Sequence, residues 1–282
     1  TYNFTYTVTG SGSCADDTET VTVDVTEAPN AGTYVGTAGE VCNTDTAFDL
    51  TTLLDGSQDA GGSWADTDAS TATITGDNAD FTGVAAGTYQ FTYTVTGTGP
   101  CGDDSEVVTV NVSEASDAGT FSGTNGAVCN NETLDLTTLL DGTQDAGGTW
   151  SDDDATGAAI TGNNADFTGI TAGTYNFTYT VTGSGSCADD TETVTVDVTE
   201  APNAGTYVGT AGEVCNTDTA FDLTTLLDGS QDAGGSWTDT DGSTATITGD
   251  NANFTGVAAG TYQFTYTVTG TGPCGDDSEI VE

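Results

Sequence analysis

Apolar and polar residues alternate over long stretches of this chain. In "TYQFTYTV", Tyr89, Phe91, Tyr93 and Val95 are interleaved with Thr88, Gln90, Thr92 and Thr94. A period of two marks a strand with one buried and one solvated face. In "SEVVTVNVSE", Val108, Val110 and Val112 alternate with Thr109 and Asn111. The intervening "GTGPCGDD" is rich in turn formers, so the two strands are predicted to form a hairpin. Helical periodicity is nearly absent; "DLTTLLDG" predicts a single short turn.

The hairpin recurs. Copies begin at Thr1, Thr88, Thr174 and Thr261, at offsets of 87, 86 and 87 residues. That period is long for a solenoid and sufficient for a small domain. Polar stretches at Glu27–Gly32, Glu114–Gly119 and Glu200–Gly205 follow each second strand and read as linkers. The resulting frame has a closing hairpin of a preceding repeat at 1–27. Repeats follow at 28–114 and 115–200, and a repeat truncated in its last strand at 201–282. Residues 1–64 and 174–237 are identical, whereas the unit between them differs. Two repeat types therefore alternate, which disfavours strand exchange between neighbours.

About seven short strands with frequent turn signals predict a β-sandwich. Each unit has one tryptophan, Trp64, Trp150 or Trp237, after "DAGGS" or "DAGGT". A core tryptophan on the third strand is a property of immunoglobulin-like domains, as is the tyrosine corner to which Tyr2, Tyr89, Tyr175 and Tyr262 correspond. Phe91 stands where an antibody domain has its second cysteine, so aromatic packing is expected in place of an inter-sheet disulfide. The fold class expected is all-β: tandem immunoglobulin-like β-sandwich domains arranged as an extended rod.

"DAGGTWSDDDATG", "AGTYNFTYTVTG" and "CADDTETVTVDV" resemble the tandem immunoglobulin-like repeats of giant Bacteroidota cell-surface proteins, such as gliding-motility adhesins and other type IX secretion cargo. The resemblance runs through essentially the whole chain. It implies a secreted, cell-surface location and a stalk-like role.

Composition narrows the chemistry. The chain has 282 residues, 44 of them Asp or Glu, with no Lys, Arg or His and a formal charge of −44. No side-chain salt bridge can form, and no basic patch exists for nucleic acid. An anionic membrane surface would repel the chain, and no apolar run reaches the roughly 20 residues of a membrane helix. Without imidazole, His-dependent triads and His-containing metal sites are excluded. The apolar share of 35 % separates the chain from a disordered acidic tail.

Seven cysteines recur in register and include no C-x-x-C pair. In a secreted repeat they point to disulfides. Same-domain pairing would give Cys42–Cys101, Cys129–Cys187 and Cys215–Cys274, leaving Cys14 over. A head-to-tail staple would give Cys42–Cys187 and Cys129–Cys274, with Cys14, Cys101 and Cys215 reaching domains beyond 1–282. A strand of eight residues spans about 26 Å, whereas disulfide Cα atoms lie within about 7 Å. The distance argument favours the staple, because the two cysteines of one sandwich lie at opposite ends.

Carboxylates concentrate in turns. The pairs Asp66 and Asp68, Asp152 and Asp154, and Asp239 and Asp241 alternate oxygens in a way that suits Ca²⁺, although no EF-hand is present. The competing reading is a solvated anionic surface that keeps the chain soluble. No cofactor is required; Ca²⁺ is the one candidate. Thr46 and Thr219 follow aspartate and precede alanine, the pattern of Bacteroidota O-glycosylation. Ladders such as "TVTVDVT" read as ordinary outward-facing strand threonine rather than an ice-binding surface. The function expected is a stalk or filament of a secreted adhesin that projects a distal binding domain and bears load. The alternative is a calcium- or glycan-binding module in each repeat. An enzyme is not expected, since paired carboxylates recur in every copy. The partners expected are neighbouring repeats and, laterally, other chains in a fibre.

Overall fold

The computed structural model describes residues 1–282. The chain divides into two compact units, Thr1–Ser116 with Thr182–Asp189, and Asp117–Val181 with Asp190–Glu282. In the first unit, β1 (Tyr2–Val8) and β2 (Asp17–Val23) form an antiparallel hairpin. A seven-stranded sandwich follows: β3 (Gly39–Cys42), β4 (Phe48–Asp49), β5 (Ser63–Asp66), β6 (Thr73–Thr75), β7 (Asn78–Asp80), β8 (Gly87–Val95) and β9 (Asp104–Ser113). One sheet has the order β3-β9-β8-β5 and the other β4-β7-β6. The first strand runs parallel to the last, and every other pair is antiparallel. This is an immunoglobulin-like sandwich.

The second unit holds two more cores. The strands of one are β10 (Gly126–Cys129), β11 (Thr133–Asp135), β12 (Thr149–Asp152), β13 (Ala159–Thr161), β14 (Asn164–Asp166), β15 (Gly173–Val181) and β16 (Asp190–Thr199), with the same strand order. The other has β17 (Phe221–Asp222), β18 (Ser236–Asp239), β19 (Thr246–Thr248), β20 (Asn251–Asn253), β21 (Phe264–Val268) and β22 (Asp277–Val281). It lacks the parallel first strand.

The period-two pattern sets which faces meet. On β8 and β9, Phe91, Tyr93, Val95, Val108, Val110 and Val112 are buried together. Across the sandwich they face Phe81, whose ring meets Phe91 edge-on at 5.8 Å. Phe91 thus takes the place of an inter-sheet disulfide, as expected, but its partner is Phe81. Trp64 lies on the same sheet as Tyr93, directly opposite it, with ring centroids 4.9 Å apart. Trp64 and Trp150 are only half-buried, whereas Trp237 is buried. The "DLTTLLDG" turn is a 3₁₀ helix, Leu50–Leu53, capped by Asp49 through the Thr51 N–H.

The tyrosine corner forms in all three sandwiches. The hydroxyls of Tyr89, Tyr175 and Tyr262 donate to the carbonyls of Ala85, Thr171 and Ala258 at 3.0, 2.9 and 3.1 Å. A second, more buried tyrosine ties the sheet to the loop before the tryptophan. The Tyr93 hydroxyl donates to Asp59 O at 2.9 Å and accepts from Gly62 N at 3.0 Å. A Cβ on Gly62 would collide with the Tyr93 ring, which explains the second glycine of "DAGG". Tyr93→Phe is expected to lower stability by about 1–2 kcal/mol, because a buried side chain gives up two part-buried hydrogen bonds. Tyr89→Phe, at an exposed hydroxyl, should cost less; urea denaturation of both variants measures the difference.

The linker reading needs correction. Ala31, Ala118 and Ala204 are fully buried core residues. The backbone N–H groups of these alanines are bonded to Asp104, Asp190 and Asp277 at 2.8, 2.8 and 2.7 Å. The polar letters around each alanine hide one small side chain that docks and one carboxylate that catches its amide.

Candidate functional site: the junction between repeats

Cys42 ends β3, and β3 pairs with the last four residues of β9, placing Cys42 opposite Ser113. Cys101 precedes β9, at the far end of the same strand. One sandwich cannot bring the two together. Instead, the turn Thr182–Asp189 presents Cys187 to Cys42, with S–S 2.01 Å and Cα–Cα 4.9 Å. In the second unit Cys129 and Cys274 join in the same way, at 2.05 and 5.1 Å. The same-domain alternatives Cys42–Cys101, Cys129–Cys187 and Cys215–Cys274 are not formed; Cys14, Cys101 and Cys215 are free thiols.

Each turn is shaped for this approach. Gly183 N donates to Asp189 at 2.8 Å and Cys187 N to Ser184 O at 3.0 Å. Gly185 has φ +59°, and a Cβ there would collide with the Ser113 hydroxyl. Asn43 fastens the outgoing chain: its side-chain oxygen accepts from Ala115 N at 2.9 Å, while its own N–H donates to Ser113 O at 2.9 Å. Asn130 repeats this with Ala201 at 2.8 Å and Thr199 at 2.9 Å. The outgoing segment in the second unit is then caught by Asp277 at Ala204 and by Glu279, which accepts from Tyr207 N at 2.8 Å. The adjacent aspartates of each hairpin therefore have separate tasks. Asp103, Asp189 and Asp276 close the turn, and Asp104, Asp190 and Asp277 hold the entering alanine. Sequence reading assigned these pairs no role. The signal was their fixed position relative to a buried alanine about 73 residues earlier.

Cys101 lies against the carbonyl of Thr26 at 3.7 Å. Cys187 lies against Ser113 O at 3.5 Å and Cys274 against Thr199 O at 3.6 Å. The free thiol thus occupies the same local position as its two crosslinked counterparts.

The candidate calcium loops have other employment. Asp66 accepts from the Ser70 hydroxyl at 2.8 Å and from Asp68 N at 3.1 Å, and Asp68 accepts from Gln90 N at 2.9 Å. Asp152 accepts from Thr156 and Gly157, and Asp154 from Asn176 N at 2.7 Å. Asp239 accepts from Ser243, Gly242 and Thr244, and Asp241 from Gln263 N at 3.0 Å. Among buried carboxylate oxygens only Oδ1 of Asp152 has no protein partner. Partial burial opposes ionisation of Asp152 and Asp239, but the hydroxyl and N–H donors outweigh it and hold both carboxyls below the ordinary range. No group of three or more acidic or cysteine side chains is placed to hold a metal.

These loops close on their own donors, so the charge that remains is a screening matter. Raising NaCl is expected to raise the melting temperature by relieving repulsion among 44 carboxylates. Calcium at matched ionic strength is expected to add no saturable further shift. A saturable calcium-specific rise, measured on metal-stripped protein, would favour the metal reading. Thr46 and Thr219 are both exposed, and the preceding Asp45 and Asp218 accept from Cys42 N and Cys215 N at 2.9 Å.

No protein-family model matches this chain. No curated protein matches it either. Solved structures similar to it are tandem-domain proteins. An I-band fragment of titin, I67–I69, is 14 % identical over 80 % of this chain and 88 % of its own, with TM-score 0.37. Drosophila N-cadherin EC1-4 is 14 % identical over 99 % and 82 %, with TM-score 0.28. The insect immune protein hemolin is 14 % identical over 90 % and 74 %, with TM-score 0.30. The immunoglobulin-like assignment rests on the strand order described above.

Proposed function

We propose that this chain is a load-bearing repeat region, a stalk or filament, of a large secreted bacterial surface adhesin that carries a distal binding domain away from the cell. Tandem immunoglobulin-like domains are typical of extracellular adhesion and structural proteins. The observation that supports the reading is the direction of the disulfides: each leaves its own sandwich and joins the next repeat's last hairpin. Such bonds also fit an oxidising, extracellular setting. No helix is long and apolar enough to cross a membrane.

The physical consequence is a limit on extension. The shortest covalent path from Thr1 to Glu282 runs to Cys42, crosses to Cys187, returns along the backbone to Cys129 and crosses to Cys274, using about two-fifths of the backbone. At about 3.6 Å per residue, a fully unfolded oxidised chain spans about 400 Å and a reduced one about 1,000 Å. Force also meets the β3–β9 and β10–β16 pairs, whose parallel strands must shear several hydrogen bonds together. Neighbouring repeats are the partners in this reading, with lateral bundling of chains as a further association. Function then requires no cofactor, nucleic acid or active site, and the exposed Thr46 and Thr219 are available as glycan acceptors.

Single-molecule stretching between the termini tests the proposal. The oxidised chain is expected to stop near two-fifths of the reduced contour length. Extension of oxidised chains to the full length would remove the crosslinks from the load path and overturn the reading. Saturable glycan binding by the isolated repeats would instead favour a binding module.

A further inference from the structure

The segment that enters each sandwich is fastened by side chains and not by a strand ladder. In Asp117–Phe121, five successive backbone N–H groups all donate to carboxylates. Asp117 N donates to Asp145 at 3.0 Å, Ala118 N to Asp190 at 2.8 Å and Gly119 N to Asp117 at 2.7 Å. Thr120 N donates to Asp141 at 3.3 Å and Phe121 N to Glu192 at 2.7 Å. Asn30–Tyr34 and Asn203–Tyr207 repeat the row, with asparagine in the place of Asp117. The carbonyls of the segment take main-chain partners instead: Thr120 O accepts from Asp141 N at 3.0 Å and Asp117 O from Asp145 N at 2.8 Å.

A strand in a ladder gives its N–H groups to backbone carbonyls, and such bonds do not respond to pH. A carboxylate accepts more strongly than a carbonyl while it is ionised, and loses that advantage when protonated. We propose that Asp117–Phe121, with its counterparts in the other repeats, is an acid-released strap: closed while the carboxylates around it are ionised, and freed locally, before the sandwich core opens, when they are protonated. The groups that face the strap are Asp190 and Glu192 from β16, Asp141 and Asp145 from the loop after Leu136–Leu139, and Asp117 of the strap itself. The chain has no Lys, Arg or His, so N–H and hydroxyl donors alone offset the repulsion among these carboxylates.

The direction of the effect follows from Asp141. Donors from Thr143, and after them the Thr120 N–H, hold its carboxyl below the ordinary carboxylate value. A depressed value means that the contribution is complete at neutral pH and is lost as pH falls below about 4. The core has no such sensitivity, because Phe167, Phe177, Val194 and Val196 are fully buried and apolar. In the strap Ala118 alone is buried to that degree, so little apolar packing remains to hold it once the carboxylates are protonated. The disulfides do not titrate, so acid frees the connection between repeats and leaves the crosslink intact. The proposal rests on the sandwich geometry and stands apart from the load-bearing reading.

Hydrogen exchange of the full chain, read by mass spectrometry and normalised to the free-peptide rate at each pH, tests it. The strap sequence "EASDAGTFSG" occurs once in the chain, as does "GNNADFTGI" around β14, which serves as the core reference. Between about pH 6 and about pH 3, protection of the strap amides is expected to fall by about tenfold or more while that of β14 is kept. Asp190→Asn with Glu192→Gln removes two of the charges at every pH. The strap of that variant is expected to be less protected already at about pH 6, and its further fall in acid to be smaller. Strap protection that is unchanged in acid overturns the proposal, and so does a loss shared equally by strap and β14. A folded variant that keeps the whole acid-induced fall would also overturn it. If the variant does not fold, the two segments of the unmodified chain decide.

Discussion

Serine at Cys187 and Cys274 lowers the unfolding free energy by about 5 kcal/mol for each crosslink lost. That is the chain-entropy value for loops as long as these, which have a sequence separation of 145. Measured losses for native disulfides run from about 2 to 5 kcal/mol, against a total of about 5–15 for an ordinary domain. The effect is therefore large enough to read as a shift of the urea midpoint, and reductant added to the unmodified chain should reproduce it. Cys14→Ser, at an exposed free thiol on β1–β2, is the control and should leave the midpoint in place. An unmoved midpoint in the double variant would mean that the unfolded chain is not constrained by these bonds.

Phe177→Ala is expected to cost about 3–5 kcal/mol, the usual range for truncating a buried aromatic, and Phe4→Ala less than about 0.5. The pair is informative because Thr1–Trp64 and Thr174–Trp237 are identical in sequence. The two phenylalanines have the same neighbours along the chain and the same strand propensity. Phe177 is 0 % exposed and meets Phe167 at 5.7 Å, whereas Phe4 is 58 % exposed. Any difference in cost is packing alone. Urea denaturation of both variants measures it; equal losses would show that the β1–β2 hairpin has a covered apolar face in solution.

Much of the fold was legible because period two survives in every copy. Tyr89 to Val95 and Val108 to Val112 state which face is buried, and the turn between them states that they pair. Strand length alone places Cys42 and Cys101 at opposite ends of a sandwich. The parts that sequence reading missed share a physical cause: they depend on one residue meeting another far away in sequence. Ala31 looks like linker, because nothing local says that Asp104 will catch its amide. The donors to Asp66 and Asp68, Ser70 and Gln90 N, escape a sequence reading because they are set by the loop's closure.

The two crosslinks overlap, since Cys129 lies inside the loop closed by Cys42–Cys187 and Cys187 inside that closed by Cys129–Cys274. Between Cys42 and Cys274 the chain therefore offers three routes. A protease that nicks any one peptide bond in that span releases no fragment and does not separate the ends. The molecule has the redundancy of a ladder: separating its ends within that span requires three cuts, one in each of the stretches 42–129, 129–187 and 187–274, and it obtains this with one bond per junction.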